Sequence, residues 1–328
     1  MVNIKDVAKQ ANLSVATVSR YLNQNGYVSK QSTEKIERAI EALKYKPNSI
    51  ARSLSKKQSN FIGLIVPDIT NPYFPQLARA VEDTALAYDY TVVLCNSDEQ
   101  ADKEQLYVER LSQKYVAGLI VSTSLLDTSL YENIDIPIVA LDRKMSETIP
   151  SVTTDNVKGA KIATQYLLEK GAQQFLCLRG PQGLQTADDR LLGFQQAIEQ
   201  ADVNAVVVET AFDFQMAAQE VERALTDNPH IDGIFASSDT SAIAALKVVH
   251  KLRKRVPEDV QIVGFDGIAL GEMVSPELTT VGQDLYAIGA QAAQMLIAQI
   301  ENKPLKQIHT IIDAQLIVRG TTKGEMAT

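Results

Sequence analysis

The chain has 328 residues, 45% of them hydrophobic, and a net charge of −8, which calls for two or three globular domains at roughly 100–200 residues each. Two cysteines and three scattered histidines are too few for a zinc site, so a protein without metal or cofactor is expected, with Cys95 and Cys177 as reduced core thiols. No run approaches about 18 consecutive apolar residues, and Met1 to Lys9 hold no apolar signal-peptide core, so a cytoplasmic protein with no membrane contact is expected.

The charge is unevenly spread. Residues 1–57 carry eleven Lys/Arg against four Asp/Glu, a net of +7, and the remainder carries −15. A basic head on an acidic body brings only the head close to a polyanion. Charge alone leaves a second reading open, in which these lysines and arginines merely cover a solvated helix face.

Asn3 can cap a helix from about Ile4 to Gln10, with Val7 and Ala8 turned inward. Asn12 and Leu13 fit a tight turn. Ser14 is a good N-cap for a second helix, Val15 to Asn23, in which Val18 and Leu22 share one face. Two short helices joined in this way are the helix-turn-helix unit. Its second helix enters the major groove, which places Val15, Ala16 and Thr17 at base edges and Ser19, Arg20 and Asn23 at phosphates or further bases. Val15 and Ala16 can meet a thymine methyl but make no bidentate hydrogen bond, so part of the specificity must come from elsewhere. A third helix, about Ser32 to Leu43, braces the head with Ile36, Ala39, Ile40 and Leu43, and leaves Lys35 and Arg38 solvated. Pro47 ends it.

From Phe61 onward, apolar runs alternate with amphipathic stretches. Strands are expected at 61–66, 91–95, 116–121, 136–141, 174–178, 204–208, 231–236 and 260–265. This is the βα alternation of parallel sheets buried on both faces. A body of about 270 residues with eight such units is too large for one simple doubly wound sheet, and two similar lobes fit better. Ligands of open α/β sheets sit beyond the carboxyl ends of the strands. Those ends lead here to Asp68, Asn71, Tyr73 and Phe74, to Asp142 and Arg143, to Thr186 and Arg190, to Phe212, to Ser238 and Asp239, to Asp266, and to Gln283. Carboxylates, amides and guanidinium groups bond neighbouring hydroxyls, and aromatic rings stack on apolar C–H faces, so the set suits a polyol. Strand-end polar residues are also ordinary caps and turns.

Three ordered motifs resemble the lactose/galactose repressor (LacI/GalR) family: Ile4-Lys5-Asp6-Val7-Ala8, Ser14 through Arg20, and Tyr45 through Leu54. The resemblance implies an all-α helix-turn-helix head at 1–47, a hinge at 48–58, and a two-lobed periplasmic-binding-protein-like α/β core at 59–328. The N-lobe would take about 59–157 and 285–312, the C-lobe about 158–284 and 313–328. It further implies that the hinge folds as a helix on operator DNA, with Asn48 and Ala51 at the DNA and Leu54 wedged into the minor groove. The runs Asn71-Pro72-Tyr73-Phe74, Leu141-Asp142-Arg143, Ala187 through Arg190, and Gly264 through Gly267 are similar to the ribose members of this family and of the periplasmic sugar-binding proteins. Carried over, Asn71, Asp142, Arg143, Arg190, Asp266 and Gln283 would bond a sugar, with ribose the expected effector. Tyr73, Phe74 and Phe212 would sandwich its ring. Ser238 stands where ribose sites usually carry asparagine. The chain continues only briefly past Arg319 without a heptad tail, so a homodimer on a palindromic, double-stranded operator is expected.

Besides a repressor that answers sucrose or fructose instead of ribose, two other readings remain at this stage. One is a carbon-catabolite regulator whose co-repressor is a phosphorylated carrier protein. The other is an enzyme using Asp142, Asp239 and Asp266 as acid/base groups. Against the enzyme, the first strand is followed by no phosphate-cradling glycine loop, and neither a zinc-protease helix nor a nucleophile elbow occurs.

Overall fold

The computed structural model describes residues 2–23, 25–45, 60–113, 116–122, 126–199 and 201–324. The chain divides into two compact units, Met1–Ser59 and Asn60–Thr328.

The first unit holds three helices, α1 (Ile4–Ala11), α2 (Val15–Asn23) and α3 (Lys30–Leu43). A reciprocal capping box starts α1: Asn3 Oδ1 accepts from the N–H groups of Lys5 and Asp6, and the Asn3 N–H donates to Asp6 Oδ2 at 2.9 Å. Asn12 ends the helix in the left-handed region, φ 54°, a conformation that asparagine tolerates. The Thr17 N–H donates to Ser14 Oγ at 3.1 Å, which starts α2 as expected. α3 begins two residues before the predicted Ser32, because Ser29 supplies the cap and Ser32 donates its N–H to it. Val7, Ala8, Ala11, Val18, Ile36 and Ala39 close over one small core.

The second unit contains two six-stranded sheets. The first has the order β11-β5-β4-β3-β1-β2, from β1 (Phe61–Val66), β2 (Thr91–Asn96), β3 (Gly118–Val121), β4 (Ile138–Leu141), β5 (Ser151–Thr154) and β11 (His309–Ile312). The second has the order β12-β10-β9-β8-β6-β7, from β6 (Gln174–Arg179), β7 (Asn204–Glu209), β8 (Gly233–Ala236), β9 (Gln261–Asp266), β10 (Thr279–Gly282) and β12 (Gln315–Ile317). Every pairing is parallel except β10 with β12. The helices between the strands are α4 (Tyr73–Ala87), α5 (Ala101–Gln113), α6 (Thr128–Glu132), α7 (Asn156–Glu169), α8 (Gln185–Ile198), α9 (Phe214–Asp227), α10 (Asp239–Lys251), α11 (Leu270–Met273) and α12 (Leu285–Ile300). The chain crosses between the lobes three times, after Thr154, after Gly282 and after Ile312.

Several predicted strands start late, for stereochemical reasons. Pro137 has no N–H to give the ladder, so β4 begins at Ile138. The N–H of Val116 turns back to Leu111 O, and that of Ile231 to Asn228 O, so each closes the preceding helix rather than opening a strand. Four strands were not among those expected, although an apolar stretch ending near Val281 marked the place of one of them. β5 (Ser-Val-Thr-Thr) and β10 (Thr-Thr-Val-Gly) are short and hydroxyl-rich, and β11 and β12 are part-exposed edges.

Each lobe brings two helices together at a glycine. A Cβ on Gly289 of α12 would meet Leu77 O of α4 at 2.7 Å, and one on Gly193 of α8 would meet Val157 O of α7 at 2.2 Å. Backbone carbonyls cannot rotate aside. Gly193→Ala is therefore expected to cost about 1–3 kcal/mol of stability, the usual range for overpacking, measured as a lowered urea midpoint at unchanged slope. An unchanged midpoint would mean that the helices can separate freely.

Candidate functional site

On the head, the exposed side of α2 carries Val15, Ala16 and Arg20, with Thr17 and Ser19 half-buried beside them. Val18, one residue away, is fully buried and anchors the helix to the core. The Thr17 hydroxyl lies 2.8 Å from Ser14 Oγ, so its side chain is committed to the cap. Lys35 and Arg38 are exposed. Asn48, Ala51, Leu54 and the side chain of Asn23 lie outside the described residues.

In the body, a cavity of about 350 Å³ opens at the carboxyl ends of the strands and draws its walls from both lobes. That is within the range of about 300–1,000 Å³ usual for small-molecule pockets. The first lobe supplies Asp68 and Asn71 after β1, Phe74 on α4, Glu99 after β2, Ser122 after β3, and Asp142 and Arg143 after β4. The second supplies Gln182 and Leu184 from the β6–α8 turn, Thr186 from the start of α8, and Phe212 from the β7–α9 turn. Gly180 makes room for the last, since a Cβ there would lie 2.4 Å from the Phe212 ring.

Of the ten residues expected to bind the effector, five share this wall, Asn71, Phe74, Asp142, Arg143 and Phe212, and the strand-end residues Asp68 and Thr186 share it with them. The other five lie off it. Tyr73 is buried and packs its ring edge-on to Phe74 at 5.1 Å, so it supports the aromatic wall. Ser238 caps α10 by accepting from the Ser241 N–H. Arg190, Asp266 and Gln283 form a buried polar network. Arg190 donates to Asn156 Oδ1 at 2.7 Å, to Ser237 O at 2.6 Å and to Asp266 Oδ1 at 3.1 Å, with its guanidinium 3.9 Å above the Phe265 ring. Gln283 donates to Asp266 Oδ1 at 2.9 Å and accepts from Thr154 Oγ1 at 2.7 Å. Thr154 and Gln283 flank the first two crossings between lobes, so this bond ties the two crossings together. Asp239 accepts from Gly267 N–H, Ile268 N–H and Thr280 Oγ1 at 2.6–2.8 Å, which fixes the turn after Asp266.

The backbone at both strand-end aspartates is strained: Asp142 has φ 67° and Asp266 φ 122°. Residues other than glycine persist there only when their surroundings hold them, and such sites gather around ligands. Electrostatics adds to the picture. Burial raises Asp142 and Asp266 above the usual carboxylate range, with the Arg190 charge as the main opposing influence on both. Burial, then the Asp142 and Asp266 charges, pushes the Tyr73 hydroxyl well up. Around the site, the Tyr73 hydroxyl and the Asp142 carboxylate face each other, and Ser122 Oγ, Arg143 Nε and Ser237 Oγ are enclosed without a hydrogen-bond partner among the described residues. Enclosed polar atoms are costly unless something bonds them, so this region is chemically matched to a ligand rich in hydroxyls.

Glu99 and Ser122 join the wall without having been expected. They follow β2 and β3, so the strand-end rule points to them as directly as to Asp142, but no aromatic or guanidinium neighbour marks them. Asn156 and Thr154 sit around β5, whose sequence gave no strand signal.

Residues 3–48 match the bacterial regulatory proteins of the lacI family, and residues 164–322 match the periplasmic binding protein-like domain. A ribose operon repressor of Halalkalibacterium halodurans is 53% identical over 99% of this chain and 98% of its own length. The lac repressor dimer bound to operator and the anti-inducer ONPF has a TM-score of 0.88 at 26% identity, covering 98% of this chain and 99% of that one. A LacI family transcriptional regulator from Enterococcus faecium with bound ribose has a TM-score of 0.73 at 30% identity, covering 80% of this chain and 98% of that one. With its head, its two-lobed body and a relative of more than half identity along the full length, the chain belongs to the lacI family of bacterial regulatory proteins.

Proposed function

We propose that this chain is a ribose-responsive operon repressor: the head binds a palindromic operator as one half of a homodimer, and free ribose in the cleft releases it. The observation that carries the ligand half of this reading is the wall that joins Phe74 and Phe212, one from each lobe, to Asn71, Asp142 and Arg143. Rings take the apolar face of a furanose or pyranose, and the polar groups take its hydroxyls. Arg190, Asp266 and Gln283 reach the sugar from behind this wall or hold its polar groups in place. Among the described residues, three carboxylates, Asp68, Glu99 and Asp142, face the cavity against one guanidinium, that of Arg143. That balance disfavours a phosphorylated sugar.

A ligand shifts an equilibrium only through its differential affinity for two states. The cleft provides that difference, since its contacts come from both lobes and change when the lobes rotate about the three crossings. No observation in the body favours a phosphorylated carrier protein over a sugar, and an acid/base role for Asp239 conflicts with its three hydrogen bonds to the scaffold.

The test has two arms. Titration calorimetry should show saturable ribose binding and far weaker heats with ribose 5-phosphate. Fluorescence anisotropy on an operator selected from random duplex should show saturating ribose lowering affinity by about 5–150-fold, the span of typical allosteric coupling. Ribose that leaves operator affinity unchanged would overturn the regulatory reading. Heat only with another sugar would transfer the reading to that sugar.

A further inference from the structure

Five buried polar residues close a ring of hydrogen bonds. Thr154 Oγ1 donates to Gln283 Oε1 at 2.7 Å, Gln283 Nε2 to Asp266 Oδ1 at 2.9 Å, and Arg190 Nη1 to the same oxygen at 3.1 Å. Arg190 Nε donates to Asn156 Oδ1 at 2.7 Å, and Asn156 Nδ2 donates back to Thr154 O at 3.1 Å. None of the five is more than 7% exposed, and in such surroundings each bond is strengthened and each broken one costly. The ring is unevenly divided between the lobes. Arg190 stands on α8, Asp266 ends β9, Gln283 follows β10, and Asn156 opens α7, whose Ala160, Ala163 and Leu167 pack in the second lobe. The Gln283 N–H also donates to Asp266 O at 3.0 Å. Thr154 belongs to the first lobe, as the last residue of β5, which pairs with β4 and β11. The bonds of Thr154 therefore span the first crossing, while the other four residues keep their places within one lobe. Ring and scaffold together occupy Arg190 Nε, both N–H groups of Arg190 Nη1 and Asp266 Oδ1. Among the described residues, Arg190 Nη2, Asp266 Oδ2 and the second N–H of Gln283 Nε2 are left over for a ligand.

We infer that Thr154 is the positioning residue through which the effector site senses the arrangement of the lobes. Thr154 itself lies off the cavity wall. Its hydroxyl holds the Gln283 amide, and the ring passes that hold on to Asp266 and Arg190. In one arrangement of the lobes the ring is closed, and the leftover groups stand together. When the lobes rotate, Thr154 moves with the first lobe and Gln283 loses its anchor. A sugar bonded by these groups then has different affinities for the two arrangements, which is the condition for it to shift the equilibrium between them. Hinges of this kind work through a few residues at the ends of elements, and Thr154 ends its strand one residue before the chain changes lobes.

This inference rests on the ribose reading above, and the experiment separates the two. The readout is the coupling factor: the operator dissociation constant at saturating ribose divided by that without ribose, from fluorescence anisotropy on the full-length chain. It is measured for the wild type, for Thr154→Val, which is nearly isosteric and lacks the hydroxyl, and for Thr154→Ser, which keeps it. Circular dichroism checks each fold. Thr154→Val should cut the factor by about fivefold, or to one where the wild-type factor is smaller, because the net worth of one hydrogen bond corresponds to a change of that size. Thr154→Ser should keep the factor. Linkage is reciprocal, so ribose affinities measured with and without operator should return the same numbers. A merely structural role would lower the melting temperature of Thr154→Val and leave the factor of the folded chain untouched. A wild-type factor in Thr154→Val, a reduced factor in Thr154→Ser, or complete loss of ribose binding in a folded Thr154→Val would each overturn the inference and leave the ribose reading intact. Should Thr154→Val fail to fold, Thr154→Ala takes its place with the same expected and overturning results, since it removes atoms and adds none. Ribose that binds the wild type without changing operator affinity overturns the regulatory reading and this inference with it, and no heat with ribose overturns the sugar reading itself.

Discussion

Replacing Arg190 by alanine is expected to abolish measurable ribose binding and to destabilise the body by about 3–5 kcal/mol, the range for breaking a buried ion pair. Both members are enclosed, with side-chain exposures of 4% for Arg190 and 9% for Asp266. Truncation strands three acceptors at once: Asn156 Oδ1, Ser237 O and Asp266 Oδ1. It also removes the cation lying over Phe265. The loss has a pH signature that a simple cavity lacks. Arg190 is the leading influence that lowers both Asp142 and Asp266 against the effect of burial. Without it, both native carboxyls rise further above the unfolded value of 3.8. The folded chain then holds protons that the unfolded chain has released, so stability is greatest below the unfolded value and falls as pH climbs through the raised native values. The Arg190→Ala melting temperature should therefore be higher near pH ~5 than near pH ~8, by a wider margin than in the wild type. Thermal melts at the two pH values together with ribose titration check this. Wild-type ribose affinity, or a melting temperature that rises with pH, would show that Arg190 neither holds the network nor serves the sugar.

Periodicity made much of this architecture readable. A run such as Ile62-Gly63-Leu64-Ile65-Val66 is apolar at every position because both faces of its strand are covered, and apolar runs mark β1 to β4 and β6 to β9 in the sequence. β5 and β10 escape because they are short and rich in hydroxyls whose partners lie far along the chain: in β10, Thr279 shares its hydroxyl with Thr322 and Arg319, and Thr280 with Asp239. Such strands are held by side-chain hydrogen bonds that pair residues some 40 positions apart, which no local window contains. The site divides in the same way. Asp142 and Phe212 follow strands whose ends are visible, so the strand-end rule reaches them. Whether a strand-end residue faces the cavity or lies beneath it depends on its partners in space. Tyr73 and Phe74 are neighbours in sequence, yet one carries the other.

The head offers the second large effect. Ile36→Ala is expected to abolish operator binding while leaving ribose affinity unchanged. Ile36 is fully buried at the centre of a core whose other buried members are Val7, Ala8, Ala11, Val18 and Ala39, with Ile4, Leu13, Leu22, Ile40 and Leu43 among the partly buried residues packed against it. Among the fully enclosed members it has the largest side chain, so its truncation leaves a hole where the three short helices meet. Isoleucine-to-alanine changes in cores cost about 2–5 kcal/mol, and a domain below about 70–80 residues rarely has more than roughly 3–5 kcal/mol to lose. The two numbers overlap, so the head should be largely unfolded at 25 °C. Val15, Ala16 and Arg20 then have no helix to present them, and α2 cannot persist alone at nine residues, since isolated helices shorter than about 12–15 are marginal in water. The body keeps its own two sheets and their cores. Operator anisotropy, ribose calorimetry and limited proteolysis on one preparation give the answer. The expected pattern is no operator shift, a wild-type ribose isotherm, and rapid cleavage confined to the first unit. Operator binding at wild-type affinity would mean that the small core tolerates the hole. Joint loss of both activities would mean that the two units do not fold independently.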